Sequence, residues 1–93
     1  MKYSMPHISI GKSMLPTLSR VNLIITKKVS SYEIGDIISL KTLDGIFHTH
    51  RIVEINDQWV STKGDNLTQQ WYEIKVPLKN IEGKLFWSFP KRK

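Results

Sequence analysis

Three short islands of the chain carry side chains able to do chemistry: residues 11–18 (GKSMLPTL), 49–53 (THRIV) and 62–66 (TKGDN). They supply a serine, Ser13, a histidine, His50, and an aspartate, Asp65. A serine hydroxyl is a poor nucleophile near neutral pH and needs a base within hydrogen-bond reach. An imidazole, with an ordinary pKa of about 6.5, can serve, whereas a lysine at about 10.4 would need a large depression by burial. A histidine used this way needs a partner for its second nitrogen, to fix the tautomer and stabilise the imidazolium, and Asp65 is the candidate. Each residue also has a plainer reading: Ser13 as a turn serine, His50 as a strand histidine satisfied by a neighbour, Asp65 as a loop-capping carboxylate. Lys63 is an alternative base in the same loop. His48 and His50 share a strand face, and a His-x-His pair can bind Zn²⁺. No third ligand accompanies them at a sensible spacing and His7 is remote, so no metal or other cofactor is expected.

Extended chain must position these groups. Ile, Val and Thr make up 23 of the 93 residues and alanine is absent, so the local preference is for strands. Strands are predicted at residues 8–10, 21–27, 37–41, 46–55 and 58–62, with a last pair at 78–81 and 84–89. Gly35 and Asp36 mark a turn, Asp44 and Gly45 a hairpin, and Asn56 and Asp57 a second hairpin. Pro16 favours a turn or a single helical turn over a continuing strand. Residues 63–66 read as loop, and residues 67–75, which lack periodicity, as irregular loop. Asp36 is assigned to closing its turn, and Trp59, Trp71 and Trp87 to core or rim packing. Six or more short strands joined by tight turns predict a mainly β fold with little helix. The expectation is one small domain over residues 1–93, a coiled antiparallel sheet or partly open barrel, with 1–7 and 90–93 as flexible ends.

Length and composition exclude several classes. The absence of cysteine removes disulfides, thiolate metal sites and a cysteine nucleophile. No run of about 18 apolar residues exists to span a bilayer. Pro6, His7 and Ser9 interrupt the N-terminal stretch, which therefore lacks the apolar core of a signal peptide. These features predict a soluble or peripheral chain, cytoplasmic or at a membrane surface. The net charge of +6 invites a nucleic-acid reading. Eleven of the fourteen basic residues are lysine, however, and Arg20, Arg51 and Arg92 alone suit bidentate recognition. The acidic residues read as interspersed, so nucleic acid is not the expected partner. The tail Lys91, Arg92 and Lys93 reads as a solvated end. With Leu85, Phe86, Trp87 and Phe89 before it, the alternative is a patch for anionic lipid or nucleic acid.

Taken in order, with Gly35, Asp36, Ile37 and Ile38 between the first two, the islands resemble the boxes of the type I signal peptidase group of serine proteases. The resemblance spans roughly residues 8 to 86 and implies the coiled antiparallel sheet of that group. It implies Ser13 as nucleophile with Met14 and Pro16 as signature neighbours, His50, followed by Arg51, as general base, and Asp65 as the acid of the Gly-Asp-Asn box. Gly11, Lys12, Met14 and Pro16 would surround the oxyanion and the substrate. Bacterial leader peptidases and the mitochondrial inner-membrane enzymes carry lysine at the base position; the endoplasmic-reticulum and archaeal type carries histidine, as here. The serine box looks more like the mitochondrial form. Where other members have Ser-Gly-Ser-Met, the first serine resembles a second oxyanion donor, and Gly11 stands there instead; the oxyanion hole would rest on the Ser13 N–H and what the fold adds. The stretch after Asn66 also lacks the further Asp or Ser common in the group. Arg51 alternates with His50 along the strand and is taken as structural.

The resemblance thus implies a small β serine endopeptidase using acyl-enzyme chemistry on an extended peptide paired to an exposed strand edge beside Ser13. A membrane-associated partner or a peripheral membrane contact would replace the transmembrane anchor usual in the group. Two rivals stand beside it. One is a self-cleaving domain like the regulatory half of the SOS-response repressors, which share the fold but use Ser and Lys beside a DNA-binding domain. The other is a non-catalytic basic β-barrel that binds nucleic acid or protein and is indifferent to Ser13→Ala.

Overall fold

The computed structural model describes residues 2–69 and 73–92. Seven strands follow one another along the chain: β1 (His7–Ile10), β2 (Val21–Lys27), β3 (Ile37–Lys41), β4 (Phe47–Ile55), β5 (Trp59–Lys63), β6 (Glu73–Pro77) and β7 (Ile81–Phe89). All pairings are antiparallel, in the order β1-β2-β7-β3-β4-β5-β6, and the single sheet curls into a half-barrel. The last strand lies near the middle, between β2 and β3, and so joins the N-terminal pair to the meander β3 to β6.

The turns form where their side chains favour them. Gly45 takes φ +86° in the β3–β4 hairpin, a conformation that costs a glycine nothing. Asn56 Oδ1 accepts the backbone N–H groups of Gln58 and Trp59 and closes the β4–β5 hairpin. β2 alternates in burial, with Asn22, Ile24 and Thr26 inward and Val21 and Leu23 outward. β3 is covered on both faces. Ile38 and Leu40 pack with Ile52, Val60, Ile74, Val76 and Ile81, while the adjacent Ile37 packs with Met14, Leu18, Ile24 and Leu85. The second cluster lies beneath residues 11–18 and gives that loop its footing.

Two expectations change. Residues 73–75, the end of the stretch read as irregular loop, begin β6: Ile74 and Val76 alternate inward, a pattern too short to stand out beside Pro77. Residues 78–80 are one 3₁₀ turn, and β7 runs unbroken through Glu82 and Gly83. Gly83 is a point of close approach between strands, since a Cβ there would lie 3.0 Å from Thr26 Oγ1. Ahead of β1, Ser4 N–H donates to the Thr26 carbonyl, and Lys28 N–H donates to that of Lys2. Trp87 is 43% exposed and so lies outside the core, and Trp71 falls outside the described residues. Among the described residues no helix is long and apolar enough to cross a membrane.

Leu40 is fully buried, so Leu40→Ala should destabilise the fold by about 2–5 kcal/mol through lost burial and the cavity left behind. Ile8→Ala, at a position 64% exposed, should cost no more than roughly 0.5 kcal/mol. Urea unfolding followed by circular dichroism checks both.

Candidate functional site

Residues 11–18 form a compact turn between β1 and β2. Leu15 N–H donates to the Lys12 carbonyl and Leu18 N–H to that of Met14 (3.1 and 2.9 Å), while Met14 and Leu18 anchor the turn in the second core cluster. Its return into β2 is pinned by Asn22, whose side-chain amide bonds both the N–H and the carbonyl of Ser19 (3.1 and 2.6 Å). Ser13 is half-buried on this turn.

The loop after β5 lies directly on it. A Cβ at Gly64 would overlap the Ser13 carbonyl oxygen and lie 2.8 Å from Ser13 Cβ, so glycine alone fits there. Asn66 completes the contact, donating from its backbone N–H to the Ser13 carbonyl (2.8 Å) and from its side chain to the Lys12 carbonyl (3.0 Å). Between these two residues, Asp65 accepts a fork of hydrogen bonds from Arg51 Nε and Nη2, each 2.8 Å, and one from Thr17 Oγ1 at 2.6 Å. Arg51 Nη1 donates to the Gly35 carbonyl at 2.6 Å. The backbone bonds Gly35 N–H to Ile52 and Ile52 N–H to Asp36 close the circuit. The three sequence islands and the Gly35 and Asp36 turn therefore meet.

The carboxylate of Asp65 is held below its ordinary range, first by the Arg51 hydrogen bonds and then by that of Thr17, and the Arg51 guanidinium is raised by the same pairing. Asp65, expected to orient His50, has Arg51 and Thr17 as hydrogen-bond partners. At His50 its charge favours the imidazolium, as the smallest of three influences.

His50 is 2% exposed, in β4 opposite Ile38 of β3. Burial, and then the neighbouring His48 ring with its centroid 5.7 Å away, lower its pKa to about 4. The ordinary imidazole value near neutrality, on which the sequence reading relied, does not hold here. Nδ1 faces Thr62 Oγ1 at 3.4 Å, and the Thr62 hydroxyl lies 3.3 Å from the Ile74 carbonyl. A hydroxyl has one proton; with it directed to Ile74, Thr62 can act towards Nδ1 as an acceptor, which favours the Nδ1–H tautomer and leaves the lone pair on Nε2. The sequence assigns no role to Thr62, the first residue of the third island. Its period-two position beside Val60 gave the one available signal.

A groove with a volume of about 120 Å³ runs beside Ser13, between residues 7–11 of β1 and its exit and residues 47–49 of β4. Gly11, Met14 and His48 line it with Ser13, and the buried His50 is two residues along the strand from His48. Lys12 and Pro16 are exposed and stand outside the lining. Lys63 Nζ approaches Glu73 at 4.0 Å. Asp36 caps its turn by accepting the Glu33 N–H (2.9 Å) and pairs with Lys84 at 3.2 Å. Among the described residues no group of three or more potential metal ligands gathers. Comparison with known families, curated proteins and solved structures finds no match.

Two outcomes test this geometry. Gly64→Ala should destabilise the protein by about 1–3 kcal/mol, because the Ser13 backbone must shift, and urea unfolding measures it. Nuclear magnetic resonance titration should give His50 a pKa of about 4, and His48→Gln should raise it by removing a repelling charge. With the folded value below the unfolded one of about 6.5, the unfolded chain takes up the proton first, so this residue makes stability fall as pH drops from about 6.5 towards 4.

Proposed function

We propose that the protein is a serine endopeptidase resembling the type I signal peptidases, with Ser13 as nucleophile and His50 as general base. The observation that carries the reading is the seating of the Gly-Asp-Asn loop on the serine turn: Gly64 against Ser13, Asn66 on the Ser13 carbonyl, and Asp65 clasping the arginine that follows His50. A turn that merely reverses the chain has no need of a second loop fixing the backbone of one serine; a nucleophile held for attack does.

In this mechanism Ser13 Oγ attacks the scissile carbonyl, Nε2 of His50 takes its proton, and the imidazolium returns it to the leaving amine. Water then hydrolyses the acyl-enzyme by the same exchange. A base with a pKa of about 4 keeps its lone pair throughout the neutral range, although it pulls on the proton less strongly than an ordinary histidine. Asp65 and Arg51 are positioning residues in this scheme. The substrate is an extended peptide lying in the groove beside Ser13, adding to the edge of β1, the terminal strand of the sheet.

Labelling with a fluorophosphonate, read by mass spectrometry, tests the assignment. A single adduct on Ser13, abolished in Ser13→Ala and slowed by about 10²-fold or more in His50→Ala, is the expected result. The labelling rate should rise with pH through a midpoint well below 6.5. An adduct elsewhere, or equal labelling of Ser13→Ala, overturns the reading. Loss of labelling in His48→Gln with full labelling in His50→Ala transfers the base to the groove-lining histidine.

A further inference from the structure

The buried face of the sheet beside the serine turn carries polar side chains where a core is ordinarily apolar. Cross-strand partners share a face, and Ser39 of β3 lies between Thr49 of β4 and Gly83 of β7. Two residues earlier on that face, Ile37 packs with Met14 and Leu18 of the serine turn. Ser39 is 2% exposed, Thr26 of β2 is 2% exposed and Asn22 is 3% exposed. Serine and threonine buried to this extent ordinarily spend their hydroxyls on a partner.

Here hydrogen-bonding capacity is left over. Among the described residues the hydroxyls of Ser39 and Thr26 have no hydrogen-bond partner, and no side-chain oxygen is both sealed from solvent and unpaired. Both hydroxyls therefore open into a cavity. Ser39 and Thr26 line one of about 450 Å³ that also reaches Met5 and Phe47. Ser39, with Asn22, lines the groove of about 120 Å³ that Ser13 shares, so the two spaces meet at the Ser39 side chain. The Asn22 amide uses its oxygen and one of its two N–H donors on Ser19, which leaves the second donor. Among the described residues that line the groove there is no Lys, Arg, Asp or Glu.

We infer that the groove selects a peptide carrying a hydroxyl or carboxamide side chain, that of serine, threonine or asparagine, within two residues of the bond cut. Ser39 is its specificity-determining residue. The inference rests on the endopeptidase reading and names the substrate class for that same site. A charged side chain would lose its hydration in the groove without gaining a counter-ion. The room of about four waters suits a small side chain. An aliphatic one of that size would shut solvent away from Ser39 and leave the hydroxyl unpaired, whereas a hydroxyl or amide replaces each bond to water with one to the peptide.

The test sets two readouts side by side on the full chain: fluorophosphonate labelling of Ser13, and cleavage of a peptide library prepared from a digested proteome, both read by mass spectrometry. Serine, threonine and asparagine should together be enriched at one position within two residues of the cut. In synthetic peptides built on the best-cleaved sequence, valine in place of threonine at that position keeps the shape and removes the hydroxyl. It should lower kcat/KM by about tenfold or more. Ser39→Ala should bring the threonine and valine peptides to within about twofold of each other. A loss of stability alone would slow both peptides and leave their ratio unchanged. Equal cleavage of the two peptides by the unaltered protein, or a ratio that survives in Ser39→Ala, overturns the inference, while a Ser13 adduct leaves the endopeptidase reading standing. A Ser13 adduct with no library peptide cleaved overturns it too. Absence of the Ser13 adduct overturns both.

Discussion

One guanidinium holds the loops around Ser13 together. Arg51 spends its donors on Asp65 from the loop after β5 and on the Gly35 carbonyl from the turn before β3, and Asp65 passes the connection to Thr17 on the serine turn. Three loops far apart in sequence are fixed relative to one another by a planar fork and a carboxylate, a geometry lysine cannot reproduce. The ion pair is half-exposed, so its contribution to global stability is modest. Its importance lies in register: it sets where Gly64 and Asn66 meet the backbone of Ser13.

Most of the sheet could be read from residue types. β2 and β3 fall where β-branched residues cluster between turn formers, and the Asp44 and Gly45 pair makes its hairpin. Legibility failed where a local rule met a tertiary fact. Gly83 reads as a breaker, yet it is a residue that lets two strands approach. Ile74 and Val76 form too short an alternation to be recognised alone, and they become a strand because Thr62 and Val60 stand opposite. In the site, residue identities were readable and partnerships were not. Nothing in the sequence says that Asp65 turns to Arg51 and Thr17, because a carboxylate's choice among donors is decided by loops that must first be placed.

The histidine shows the same limit in chemical form. Its type suggests a base working near neutrality, and its surroundings move it far from there. A buried imidazole beside another imidazole is neutral by default, whatever the partner carboxylate offers across the loop. His48, two residues before it on the strand, lines the groove. The pair is thus asymmetric: one ring faces the solvent side of the site and the other lies among strand residues, with Thr62 at its back.

Residues 1–32 and 83–93, which supply β1, β2 and most of β7, hold nine Lys and Arg and no Asp or Glu, residues 33–82 hold five and eight, and this uneven distribution has a consequence that needs no contact at all. A body 33 by 32 by 24 Å with positive charge gathered on one part of its sheet and a small negative excess on the other has a permanent moment as well as a monopole. In a field that decays over about 8 Å at physiological ionic strength, such a body is turned before it is touched. It meets any negative surface with β1 and β2 leading, and orientation, which an evenly charged protein must find by repeated collision, is supplied during the approach.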